Sequence, residues 1–174
     1  MTKVLLDTPN SENLGGNEQL PRTNIRLDTK PNGCVILGTN YIPAIWATVS
    51  KELQEVLDNH SNGEARTEDV YWQLMHSKSH LWLVLNEEKT LIGWVITHID
   101  IYPRKKRLVL DYIYGVGLDE WISYLGYVEM FAAEHGCTEL EAWARPGLVK
   151  KLEKQGFRKC YDICLRPIPR SLNG

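Results

Sequence analysis

The chain has 174 residues, 43% of them hydrophobic and 24% charged, with a formal net charge of -2. That length suits one ordinary domain with an appendage. A charge so nearly balanced gives no general reason to expect a nucleic-acid or membrane partner. The apolar run Leu81–Leu85 falls far short of the roughly 20 residues that span a bilayer. The opening residues Met1–Asp7 hold too short an apolar stretch for a signal peptide, so an intracellular protein is expected. Cys34, Cys137, Cys160 and Cys164 form no CxxC pair and no zinc-ribbon spacing, which predicts inert thiols in a reducing compartment.

Residues 1–40 are rich in Asn, Gly, Thr and Pro, and only Cys34-Val35-Ile36-Leu37 reads as a strand. Such a segment cannot by itself bury enough apolar surface to offset its ordering entropy, so it is expected to be an extended polar arm. From Tyr41 the periodicity sharpens. Pro43 suits a first helical turn, and Ile45, Val49, Leu53, Val56 and Leu57 follow at helical spacing. Thr67 is expected to cap a second helix, with Glu68 and Asp69 in its first turn.

Leu81–Leu85, Leu91–Tyr102 and Arg107–Tyr114 read as an antiparallel meander, joined by the turns 86–90 and 103–106. The spacing of Trp121, Ile122, Leu125, Val128, Phe131 and Ala132 predicts a helix over 119–134, which Gly136 ends. Thr138–Ala144 reads as a strand, Pro146 opens a short helix closed by Gly156, and Phe157–Pro167 reads as a last strand. The fold class is therefore α/β: a mixed sheet made of an antiparallel meander followed by β-α-β-α-β. The domain spans 41–168, with the arm 1–40 before it and a tail 169–174 after it.

Several side chains could carry chemistry. Asp111, in the strand before the glycine turn, is a candidate base; a plain strand carboxylate, facing solvent or paired with a basic neighbour, is the commoner alternative. Tyr112 and Tyr114 flank it and should point to the opposite face, where core packing is favoured over lining a cleft. His98 reads as a hydrogen-bonded strand histidine. His76 and His80, four apart, read as a surface pair on one helix face, and no metal site is expected. Arg104-Lys105-Lys106-Arg107 reads as a solvated hairpin tip that blunts a sheet edge, or as a dock for an acidic partner or a phosphate backbone.

The order strand, glycine turn, helix, strand, short helix and Gly-Phe resembles the GNAT N-acetyltransferase superfamily. The motifs are Gly115 and Gly117, Trp121, Gly136-Cys137, Arg145-Pro146-Gly147 and Gly156-Phe157, and within the superfamily they most resemble GNAT-like proteins of tailed bacteriophages. The resemblance covers residues 41–167 and implies acetyl-CoA as acyl donor, held by Tyr114, Gly115, Val116, Gly117 and Leu118. Two departures stand out. No Gln or Arg leads the glycine turn, and Asp119 and Glu120 would repel a pyrophosphate at that helix start. The family's acid, a Tyr four residues before the Gly-Phe glycine, is Leu152 here.

Those departures favour, at this level, a non-catalytic virion structural or assembly component that requires no cofactor. It would be found in the host cytoplasm or the virion and anchored to other assembly proteins through residues 1–40, with Arg104–Arg107 as a second contact. An active acetyl-CoA-dependent N-acetyltransferase is the alternative expectation, and an inhibitor binding a host protein is the third.

Overall fold

The computed structural model describes residues 4–6, 25–27, 33–61, 63–115, 123–144 and 146–166. Two compact units divide the chain, Met1–Trp143 and Ala144–Gly174.

The first unit is built on a five-stranded sheet. Its strands are β3 (Gly33–Ile36), β4 (Ser79–Leu85), β5 (Leu91–Tyr102), β6 (Lys105–Gly115) and β7 (Glu139–Ala142), lying side by side in that order. β3 to β6 are antiparallel in succession, and only β7 runs parallel to its neighbour. The meander continues into residues assigned by sequence to the arm, because β3 pairs Cys34 with Val84 and Ile36 with Trp82. Two further strands, β1 (Val4–Leu6) and β2 (Ile25–Leu27), pair antiparallel with each other. Each has three residues, too few for a two-residue period to register in the sequence.

The helix α1 (Ile42–His60) follows a single 3-10 turn at Thr39–Tyr41 and turns Ile42, Ile45, Val49, Leu53 and Leu57 to the sheet. Val70 and Leu74 of α2 (Thr67–Met75) join the same core with Leu81, Leu83, Leu85, Trp94 and Ile96. Each such side chain contributes about 1.5–3 kcal/mol on burial. The cap of α2 lies one residue before Thr67: Arg66 takes that position, and its N–H donates to the Asp69 carboxylate at 3.0 Å. Asp69 does the capping because a carboxylate three residues into a helix reaches back to an orphan amide. His76 closes α2 while His80 lies in β4, so the two histidines do not share a helix face.

The other face of the sheet carries α3 (Leu125–Glu134). Its Phe131 stands edge-on to Trp82 at 5.1 Å and to His80 at 5.0 Å. Gly136, at φ +73°, ends α3 as expected, and the Cys137 N–H closes the turn on Ala132 O at 2.8 Å. A parallel pair needs a long connection, and α3 supplies part of it between β6 and β7. The start of the predicted helix, including Trp121 and Ile122, lies outside the described residues.

The second unit holds α4 (Pro146–Glu153), in which Leu152 is buried. Residues 157–166 form no strand, contrary to the sequence expectation. Tyr161, Ile163 and Leu165 alternate as a strand should, yet all three are exposed. Alternation describes a face; a strand also needs a ladder partner. The tail 169–174 lies outside the described residues. Among the described residues no helix is long and apolar enough to cross a membrane.

Candidate functional site

The middle of β6 is where the sheet changes character. β6 pairs with β5 along its whole length, from Tyr102 opposite Lys105 to Gly93 opposite Gly115. With β7 it pairs only through Arg107, Leu108, Val109 and Leu110. The ladder ends at Leu110 and Ala142, and residues 111–115 have no partner on the β7 side among the described residues. A strand edge left open inside a sheet exposes N–H and C=O groups that a ligand can pair with.

Asp111 is the first residue past that end, and it is also the odd one in the β5–β6 ladder. Ile96 faces Tyr112 and Thr97 faces Leu110, so Asp111 is an extra residue with no partner across the strand. Such a bulge re-aims side chains, often beside a functional site. Here it breaks the alternation on which Asp111 and its tyrosine neighbours were expected to face opposite ways. Asp111 bonds His98, which shares a strand face with Ile96, and Tyr112 packs against the core containing Ile96. Asp111 and Tyr112 thus lean to the same side.

The His98 ring lies between two carboxylates. Its Nδ1 is 2.7 and 2.9 Å from the Asp111 oxygens, and its Nε2 is 3.2 Å from Asp100 Oδ1. Asp100 Oδ2 in turn accepts from the Tyr102 hydroxyl at 3.2 Å. The hydrogen bond to Asp111 raises His98 above the ordinary imidazole value, against the opposing effect of burial. Burial pushes the Asp111 carboxyl up from the usual aspartate range, and His98 pulls it partly back. A carboxylate so placed holds a proton more readily than one in water, as a general base must.

Sequence reasoning named Asp111 and His98 separately and missed their pairing. A signal was present: the β5–β6 turn is only Pro103-Arg104, not the four residues 103–106 that the sequence suggested. Counting back from a two-residue turn sets His98 opposite Val109, and one bulged residue brings Asp111 within reach.

The tyrosines build one wall. Tyr114 stacks on Trp94, ring centroids 5.7 Å apart, and Trp94 Nε1 donates to Glu52 of α1 at 2.6 Å. Burial raises the Tyr112 and Tyr114 hydroxyls above the ordinary phenol value, helped by nearby carboxylates that include Asp111 for Tyr112 and Glu52 for Tyr114. Gly115, at φ +149°, faces Gly93 so closely that a Cβ on Gly93 would lie 2.5 Å from Tyr114 O and one on Gly115 2.7 Å from Ile92 O. Two glycines let β5 and β6 stay paired up to the turn. Of the residues expected to hold an acyl donor, Tyr114 and Gly115 sit at this open end; Val116, Gly117 and Leu118 lie outside the described residues, as do Asp119, Glu120 and Arg145.

The basic turn is largely spent on β7. Lys105 and Arg107 pair with Glu139 at 2.9 and 2.8 Å, and Arg107 reaches Glu141 at 2.6 Å. Lys106 Nζ donates to His135 O at 3.0 Å. The Arg104 side chain stays exposed. The cysteines are free thiols: Cys34 is buried, and burial pushes it up to about 12, while Cys160 and Cys164 are exposed. Among the described residues no three His, Cys, Asp or Glu side chains are placed to hold a metal ion.

No protein-family model matches the chain, and no curated protein sequence does. Solved structures do match. A putative acetyl transferase from Pyrococcus furiosus is 23% identical, with a TM-score of 0.57 over 79% of this chain and 99% of that one. A ribosomal-protein-alanine N-acetyltransferase from Brucella melitensis gives 14% and 0.57 over 78% and 99%. An aminoglycoside acetyltransferase from an uncultured soil metagenomic sample, solved with sisomicin, gives 13% and 0.52 over 82% and 97%. Likeness at such identities establishes architecture, while activity rests on the site. The chain has the fold of the GNAT acetyltransferases.

Proposed function

We propose that the protein transfers an acetyl group from acetyl-CoA to an amine, with Asp111 as the base that takes the proton of the acceptor. The observation that carries this reading is the position of Asp111. It is bulged, three-quarters or more enclosed at its side chain (21% exposed), held by His98, and set at the point where the β6–β7 ladder ends. The described residues fit such a donor at its acyl end, since the open edge of residues 111–115, with Tyr114 and Gly115, would hold it. Acetyl-CoA supplies, when bound, an acyl group activated as a thioester.

The chain's own part is acid–base work and positioning. An acceptor arriving as an ammonium ion must lose a proton before its nitrogen can attack. Asp111 lies within the enclosed part of the site, and the His98 Nδ1–H fixes its carboxylate while leaving lone pairs free to accept. Tyr112 and Tyr114 pack against the core beside it, Tyr114 stacked on Trp94.

Thermal unfolding with and without millimolar acetyl-CoA, paired with transfer assays on a panel of amines, tests the reading. A ligand held at about 100 times its Kd adds roughly 2.7 kcal/mol of stability. No shift together with no transfer would remove it.

A second reading keeps the fold without the reaction: an assembly component anchored through its N-terminal arm. Leu152, where the superfamily's acid would stand, favours it. The structural neighbours bring acetyltransferases to this comparison and lend no support to a virion role. Under this reading, removing residues 1–32 leaves the five-stranded sheet intact and abolishes assembly. The reading fails if assembly survives the deletion. Binding of a host protein through Arg104–Arg107 is weakened by the pairing of Lys105 and Arg107 with β7.

A further inference from the structure

His98 does more than hold Asp111 in place. Its two ring nitrogens meet carboxylates in different surroundings: Asp111 at 2.7 Å with 21% of its side chain exposed, and Asp100 at 3.2 Å with 44% exposed. The ring itself is intermediate, at 32%. The three groups therefore form a graded path from the enclosed bulge to water, extended by the Tyr102 hydroxyl at 3.2 Å from Asp100.

We propose that His98 and Asp100 are the proton outlet of Asp111, rather than structural ballast around it. This rests on the reading of Asp111 as the base. With both carboxylates ionised, the imidazole carries protons on Nδ1 and Nε2 and donates in both directions. When Asp111 takes a proton from the acceptor ammonium, the enclosed pair would gain a charge in a poorly solvated place. His98 avoids this by giving its Nε2 proton to Asp100, which passes it to water. One proton enters at Asp111 and one leaves at Asp100, so the net charge of the pair stays constant. When Asp111 then gives its proton to the departing thiolate, the pair would carry a negative charge until the Nε2 site regains a proton from water through Asp100. The relief is largest where water is scarcest, since uncompensated charge costs most there.

The groups that face this path are few. On β5 they are Asp100 and Tyr102, and on β6 Asp111 and Tyr112; His80 of β4 lies on the opposite face against Phe131, its value lowered by burial and by its histidine neighbours, His98 among them. Glu64 and Asp69 lie near Tyr112, and the Arg107 guanidinium sits 5.1 Å from the Tyr102 ring centroid. Carboxylates outnumber cations around His98, which favours its doubly protonated form.

The test uses the full chain and two readouts. Histidine NMR titration, with His98 assigned through His98→Gln, should place His98 above an ordinary imidazole and return it toward that value in Asp111→Asn. Acetyl transfer to whichever amine turns over should then separate relay from scaffold. Asp100→Asn is near-isosteric and half-exposed, so it should fold normally. It should lower kcat on the order of tenfold, less than the roughly 10²–10⁴-fold expected for loss of a base, with KM unchanged and the pH profile displaced. Asp100→Glu should restore both. A wild-type His98 that titrates as a free imidazole overturns the proposal, as does a kcat–pH profile of Asp100→Asn that superimposes on the wild type. If the wild type transfers acetyl to no amine, the acetyltransferase reading falls and the outlet with it; an unmoved profile in an active enzyme sinks the outlet alone.

Discussion

The two halves of β6 share one strand and one partner in β5, yet they do opposite things. From Lys105 to Leu110 the strand is closed on both sides: Leu108, Val109 and Leu110 are buried, and Lys105 and Arg107 bind Glu139 and Glu141 of β7. From Asp111 to Gly115 it has no partner on the β7 side among the described residues, and its one charge, Asp111, bonds His98 of β5, which also meets Asp100. In the closed half Lys105 and Arg107 meet opposite charges on β7, so the cluster fastens two strands together. In the open half two carboxylates compete for His98, which leaves capacity to accept a proton. A matched cluster holds structure, whereas an unmatched one beside an opening has chemistry to offer.

This contrast breaks first at Asp111. Asp111→Asn should lower acetyl transfer by roughly 10²–10⁴-fold while the protein melts cooperatively as before. Steady-state kinetics on both proteins check it, and an equally active variant would make the open half merely irregular. Next comes the closed half. Leu108→Ala should cost about 2–5 kcal/mol in urea unfolding, because Leu108 is fully buried and its neighbours are held by two ladders.

At the far end, Gly93→Ala drives a Cβ to within 2.5 Å of the Tyr114 carbonyl. It should cost about 1–3 kcal/mol and loosen the site end of the strand, measurable as lost stability together with a raised KM for acetyl-CoA. Neutrality in both would mean the glycine pair is incidental.

The smallest effects concern pH, and the two halves lean in opposite directions. Glu139 is depressed by hydrogen bonds from Lys105 and Arg107. Its contribution is present above the ordinary glutamate value and lost as pH falls through the lower folded value. His98 and Asp111 are both raised. Their contributions are full below the ordinary imidazole and aspartate values respectively, and are lost as pH rises through the raised folded ones. Thermal melts of Glu139→Gln should therefore diverge from wild type in neutral buffer and converge at acid pH. Melts of His98→Gln should diverge in mild acid and converge as pH rises. Curves that stay parallel throughout would separate these shifts from stability.

Much of the fold was legible in the chain. Leu91–Tyr102 was read with its observed ends, α1 was read through Ile45, Val49, Leu53 and Leu57, and Gly136 was read as the stop after α3. These features depend on a period of two, a period of 3.6 and one residue type, all local. Cys34–Leu37 reads as a strand within the arm, whereas the strand Gly33–Ile36 belongs to the main sheet, since nothing local says which sheet a strand will join. Residues 157–166 failed in the converse way, with strand alternation and no ladder.

The site followed the same division. The residues named Asp111 as a candidate base, and the resemblance implied Tyr114 and Gly115 as acyl-donor contacts and the fold that surrounds them. Only the tertiary structure brought His98 to Asp111, spent Lys105 and Arg107 on β7, and opened β6 beyond Leu110. Each of these depends on register: a two-residue turn, one bulged residue and a parallel strand that stops after four pairs. Register is fixed by contacts between segments distant in sequence, so periodicity within a segment does not encode it.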